Sequence, residues 1–252
     1  MKKESSVVIK LEHVNKSFHV GEQDIPVLKD ISVSIDKGAF AVLFGPSGCG
    51  KSTTLHVILG LEHPNSGDVS ILGNQLYKGT TEDDRAEFRK NNIGTVYQQS
   101  NWIKSFTVLE NVMFPLLLLG YPKDKAMNKA LDSLVQVGMQ DWKDYIPSEL
   151  SGGQQQRIDI ARALVNDPTI IVADEPTGNL DFESGQKIMQ LLKGLSTDMG
   201  KTILMVTHDL EYLVNATKVI KMFDGAIVEV KNSGEDESKI LTGVGYKRGV
   251  KK

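Results

Sequence analysis

A chain of 252 residues has room for one large domain, or two small ones, around a substantial core. Its 40% hydrophobic and 24% charged content is that of an ordinary globular protein, and a net charge of −3 leaves no basic footprint for nucleic acid. One cysteine excludes an internal disulfide and suits a reducing compartment.

The first six residues lead into a short apolar run that Lys10 and Glu12 interrupt, so no signal peptide is expected. Val7 to Val14 and Val27 to Ile35 carry β-branched residues with partial alternation and predict two strands of a small antiparallel sheet. Phe18 stands between them, where an aromatic suits either stacking on an adenine ring or a place in the hairpin core. Ala39 to Phe44 reads as a buried strand and Thr54 to Leu61 as a helix. Between them Gly45-Pro46-Ser47-Gly48-Cys49-Gly50-Lys51-Ser52-Thr53 fits G-x-x-x-x-G-K-[ST], a phosphate-binding loop. Its glycines let the backbone wrap so that several N–H groups face one anion, and the following helix adds its free N-terminal donors. In such a loop Lys51 reaches the β- and γ-phosphates and the Ser52 hydroxyl ligates Mg²⁺. Cys49 reads as a tolerated substitution in the loop.

Asp68 to Gly73 predicts another strand, and Thr81 to Lys90 a short helix capped by Thr81. Ile93 to Tyr97 returns as a strand that delivers Gln98 at its carboxyl end, the end that faces the ligand crevice in open α/β sheets. From about residue 101 to 167 the character becomes helical, with segments at Val108 to Leu119 and Lys123 to Gly138. The most apolar stretch, Val112 to Leu119, is far shorter than the ~20 residues a bilayer-crossing helix needs. The chain is therefore not expected to cross a membrane itself.

Leu150-Ser151-Gly152-Gly153-Gln154 opens the next helix. It reads as a capping box, Ser151 with Gln154, or as a second anion site at a helix N-terminus; the two are compatible. Ile170 to Glu175 is a buried strand ending in two carboxylates. Four apolar residues and then Asp174 fit a magnesium-holding strand, and the neighbouring Glu175 suits a general base for an attacking water. Glu183 to Thr197 predicts a helix. Thr202 to Thr207 predicts a strand with His208 at its ligand end. Val219 to Phe223 and Ala226 to Val230 flank Asp224-Gly225, a hairpin signal. Residues 231–252 read as a polar, weakly ordered tail with a basic end.

Over roughly Val7 to Val230 these residues resemble the ATP-binding cassette (ABC) ATPases. Gly45 to Ser52 matches the Walker A loop and Gln98 the Q-loop glutamine. Leu150 to Gln154 matches the signature motif, and Ile170 to Glu175 the Walker B strand with its catalytic glutamate. Asn179-Leu180-Asp181 matches the D-loop, His208 the switch histidine, and Phe18 falls where the family has its adenine-stacking aromatic. Asp159 departs from the pattern, standing where the family more often has a small apolar residue, and residues 99–105 differ from the usual apolar pattern.

The resemblance implies an α/β fold. A P-loop NTPase core of mainly parallel sheet carries an N-terminal antiparallel β subdomain and an inserted helical subdomain, in one ATPase domain spanning 1–230. It implies ATP and Mg²⁺ as ligands and a head-to-tail homodimer or pseudo-dimer. Each site then takes Gly45 to Thr53 from one copy and Ser151, Gly152, Gly153 and Gln154 from the other. Ser52, Gln98 and Asp174 hold Mg²⁺; Glu175 is the base; His208 and Lys51 hold the γ-phosphate; Asp181 couples the two sites. The implied partner is a transmembrane permease at the cytoplasmic face of the cell membrane. Ala173 to Asp181 and the Leu109–Leu117 pattern look like the subgroup of lipoprotein-release, macrolide-export, cell-division and antimicrobial-peptide-resistance ATPases. An amino-acid-type importer ATPase and a soluble regulatory ABC ATPase stand as alternatives. The repair and translation types resemble it less, since neither a second cassette nor a zinc insertion is present in the sequence.

Overall fold

In the computed structural model, which describes residues 7–232, the chain opens with a long hairpin, β1 (Val7–Val20) and β2 (Gln23–Asp36). The pairing runs through Phe18↔Ile25 to Val20↔Gln23, beyond the strand ends expected from the apolar pattern. This distal part is exposed, so no buried face marks it in the sequence. The chain enters β3 (Phe40–Phe44), turns through the phosphate-loop motif into α1 (Lys51–Ile58), and returns to the antiparallel layer as β4 (Ser66–Ile71) and β5 (Asn74–Gln75). Next come α2 (Glu82–Asn92) and β6 (Ile93–Val96). The Thr81 hydroxyl accepts the Asp84 N–H and the Asp84 carboxylate accepts the Thr81 N–H, which fixes the start of α2. Three helices then precede β7 (Ile170–Asp174): α3 (Val108–Leu118), α4 (Lys123–Gln136) and α5 (Gly152–Leu164). The chain ends with α6 (Phe182–Thr197), β8 (Thr202–Thr207), β9 (Lys218–Phe223) and β10 (Ala226–Asn232).

The first sheet has the antiparallel order β2-β1-β4-β5, and the second has the order β10-β9-β3-β8-β7-β6. In the second sheet β9, β3, β8, β7 and β6 are parallel, and only β10 runs against its neighbour. Central parallel strands are buried on both faces, and alternation sorts their side chains into two layers. Ala41, Leu43, Val172, Leu204 and Val206 pack toward α1 and the antiparallel sheet. Phe40, Val42, Phe44, Ile171, Ala173, Ile203 and Met205 pack toward α3, α4, α5 and α6. This is the expected α/β architecture of a P-loop NTPase. The β9–β10 turn, Asp224-Gly225, takes positive φ at both residues (45° and 80°), the geometry a two-residue hairpin loop requires. β10 continues through Lys231 and Asn232, past the expected strand end at Val230. The remainder of the expected tail, 233–252, lies outside the described residues.

Candidate functional site

The register of three adjacent strands assembles the site. Phe44 of β3 stands opposite Thr207 of β8, and Asp174 of β7 stands opposite Val206. The loop after β3, Glu175 after β7 and His208 after β8 therefore emerge side by side at the carboxyl edge of the sheet. They line an open cavity of ≈ 440 Å³ together with Val27, Ser47, Gly48, Gly50, Lys51, Ser52 and Thr53.

The loop is shaped by backbone that side chains would prevent. Gly48 and Gly50 have φ of 78° and 101°. A Cβ on Gly50 would also lie 2.9 Å from both Leu28 Cδ2 and the Val27 carbonyl oxygen. A Cβ on Gly45 would run into the Met222 carbonyl and lie 2.8 Å from Cys49 Sγ. Cys49 itself is buried and packs in the core beneath the loop. The buried Lys51 side chain curls back under the loop, where Nζ donates to the Gly45 carbonyl at 2.8 Å and the Pro46 carbonyl at 3.0 Å. An ammonium has three donors, so the third is left for an anion in the cavity. Ser52 stands exposed at the start of α1, beside the orphan N–H groups of that helix.

At the end of β7 the chain turns sharply. Glu175 has φ 46°, an unusual value for a non-glycine residue, and its N–H donates to the Val206 carbonyl at 2.9 Å. The turn sends its carboxylate into the cavity, where Oε2 lies 2.9 Å from His208 Nδ1. Asp174, one residue back, has its carboxyl pushed up by burial and by the neighbouring Glu175 charge, against the opposing pull of His56 and Lys51. Ser52, Asp174 and Gln98 each carry an oxygen donor of the kind a hard cation takes, and a partly buried carboxylate beside another carboxylate gains from one.

The other motif residues lie off the cavity wall. Phe18 is 36% exposed on the hairpin, with Lys16 Nζ 4.9 Å from its ring centroid. Gln98 follows β6; its carbonyl accepts from Asn179 Nδ2 at 3.1 Å, and its amide lies so close to Gly178 that a Cβ there would come within 2.7 Å of Nε2. Ser151 caps α5: its N–H donates to Gln154 Oε1 at 2.9 Å, while its hydroxyl accepts the Gln154 N–H only at 3.4 Å. Gly152 is exposed at that helix start. Asp181 caps α6, accepting the Ser184 N–H at 2.9 Å, which holds its carboxyl below the usual range. Val27 belongs to no motif and was not anticipated as a lining residue. β2 packs against the loop there, so that a Cβ on Gly50 would meet the Val27 carbonyl oxygen, and this tertiary contact has no local sequence signal.

Comparison with known proteins bears on this site. A family profile described as ABC transporter matches residues 28–178. An ABC transporter ATP-binding protein of Methanocaldococcus jannaschii, MJ1508, is 45% identical over 225 residues, which cover 89% of this chain and 100% of the relative. The macrolide export ATP-binding/permease protein MacB of Chlorobium phaeobacteroides is 40% identical over 237 residues, which cover 94% of this chain and 36% of that protein. Among solved structures, the ATP-binding cassette MJ0796, described as dimeric and bound to ADP and Pi, superposes with a TM-score of 0.81. It is 39% identical and covers 89% of this chain and 98% of its own. The chain belongs to the ABC transporter family, as an ATP-binding domain with ATPase activity.

Proposed function

We propose that two copies of the chain close head to tail on two ATP molecules. Hydrolysis there then drives a conformational change in a partner membrane permease, in a system for export, extraction or mechanotransmission. The observation that carries this reading is a cavity lined by half a site. The phosphate loop, Glu175 and His208 line it, while the exposed start of α5 at Ser151 and Gly152 does not. The first N–H groups of a helix have no partner within it and favour an anion. A second copy can present that helix start to the γ-phosphate. The MJ0796 cassette, described as dimeric and bound to ADP and Pi, supports an assembly of two copies.

In this reading the loop N–H groups and Lys51 hold the β- and γ-phosphates, and Phe18 stacks on the adenine. Ser52, Gln98 and Asp174 hold Mg²⁺, which when bound offsets phosphate charge during phosphoryl transfer. Glu175 takes the proton of the attacking water. His208 Nδ1 is engaged by Glu175, so Nε2 is the nitrogen left for the γ-phosphate. Asp181 couples the two sites. Gln98 links the core to the helical subdomain, residues 101–167, through which the permease senses nucleotide state. Among the described residues no helix is long and apolar enough to cross a membrane. In this reading the permease holds the ATPase at the cytoplasmic face.

Complementation tests the shared site. Lys51→Ala and Ser151→Glu should each abolish hydrolysis alone, whereas a mixture should recover it. A mixed head-to-tail dimer contains one site with Lys51 and Ser151 both intact. A mixture as inactive as its components would sink the shared-site reading. Detergent extraction with ATP and Mg²⁺ should co-purify a multi-span protein; ribosomal or DNA-bound partners alone would overturn the membrane assignment.

A further inference from the structure

The segment carrying Gln98 is held from one side by a row of α5 side chains that the proposed chemistry leaves unused. Gln156, Asp159 and Arg162 stand at i, i+3 and i+6, one face of the helix. Gln156 is 5% exposed and Asp159 is 0% exposed. Asp159 Oδ2 accepts the Tyr97 N–H at 3.0 Å, and Gln156 Nε2 donates to the Tyr97 carbonyl at 3.2 Å. Both backbone groups of the residue before Gln98 are thus bonded to α5. β6 ends at Val96, so α5 side chains take over where the strand ladder stops. Asp159 also pairs with Arg162, whose Nη1 donates to the Asn101 carbonyl at 2.8 Å and whose guanidinium lies 4.6 Å from the Trp102 ring centroid. From the opposite side Asn179 bonds the Gln98 carbonyl. A wholly buried carboxylate persists only when paired and hydrogen-bonded, and here the guanidinium, a backbone N–H and the Ser100 side chain serve it.

We propose that Asp159 and Gln156 are positioning residues for ATP hydrolysis: they fix the peptide on which Gln98 stands and tie it to the helix that begins at Ser151. Movement of the Ser151 helix then carries Gln98 with it. The proposal rests on the reading that Gln98 serves the metal and phosphate.

A double-mutant cycle on the full chain tests it, with kcat, KM for ATP and the Mg²⁺ concentration for half-activation as readouts. Asp159→Ala should lower kcat about tenfold, leave KM for ATP within about twofold, and raise the Mg²⁺ requirement. In a Gln98→Ala background the same change should cost nothing further. Asp159→Asn keeps an acceptor oxygen for the Tyr97 N–H and should recover most of the lost rate. If the two losses multiply in the double variant, the positioning role is overturned while the role of Gln98 stands. A Gln98→Ala chain that hydrolyses ATP like the parent overturns both. Gln156→Ala removes one neutral bond and carries the same cycle should Asp159→Ala fail to fold.

Discussion

His208 Nδ1 lies 2.9 Å from Glu175 Oε2, so the residue after β8 and the residue after β7 meet across one strand junction. The β7–β8 register makes this encounter, and the left-handed φ of Glu175 aims the carboxylate into it. Glu175→Gln preserves shape and an acceptor oxygen but removes the carboxylate proposed as the base. Hydrolysis should fall at least about a hundredfold, while nucleotide affinity stays within about threefold and the ATP-held dimer lives longer. Single-turnover hydrolysis, nucleotide binding and sedimentation check the three. A parental rate would return Glu175 to a purely structural turn.

Phe18 offers one ring face to Lys16 and is 36% exposed. A cation over one face leaves the other for a base. Base–aromatic stacking is worth ~1–3 kcal/mol by alanine substitution, so Phe18→Ala should weaken ATP binding at least about fivefold. The rate at saturating ATP should stay within about twofold, because Phe18 lies off the wall that carries Glu175 and His208. Titration with a fluorescent nucleotide and a saturation curve read the two quantities separately. Unchanged affinity would assign Phe18 to the hairpin alone.

The fold was legible where the chemistry is local. The phosphate loop needs consecutive residues only, and buried parallel strands betray themselves as apolar runs. Ile170–Asp174 and Thr202–Thr207 therefore stood out, with Glu175 and His208 at their ends. What depends on register did not. The 2.9 Å contact between Glu175 and His208, 33 positions apart in sequence, has no trace in either motif. Val27 entered the cavity lining because β2 packs against Gly50 of the loop, and the distal hairpin formed from exposed residues without a buried face. Asp159 showed only as an odd residue in a helix; its partner at Tyr97 lies outside that helix, as do Asn101 and Trp102, which its ion-pair partner Arg162 engages. Ser151 remained ambiguous for a different reason. A cap and an anion site use the same helix start, and the long 3.4 Å bond to the Gln154 N–H leaves room for both.

Asp181 separates a structural duty from a functional one. Its carboxylate caps α6 by accepting the Ser184 N–H, and that bond depresses its pKa. A depressed carboxylate pKa contributes stability above the unfolded value near 3.8, and the contribution is lost as pH falls through the folded value. Asp181→Ala should therefore lower Tm at neutral pH, and the gap to the parent should narrow below about pH 4. Asp181→Asn keeps an acceptor for the Ser184 N–H and should restore most of the Tm. If the charge of Asp181 also couples two sites, the Asn variant should still lose the sigmoidal dependence of hydrolysis on ATP that paired sites produce. Thermal unfolding across pH and ATP-dependence curves for the three chains read cap and coupling independently. An unchanged Tm in Asp181→Ala would remove the cap, and an Asn variant as cooperative as the parent would remove the coupling.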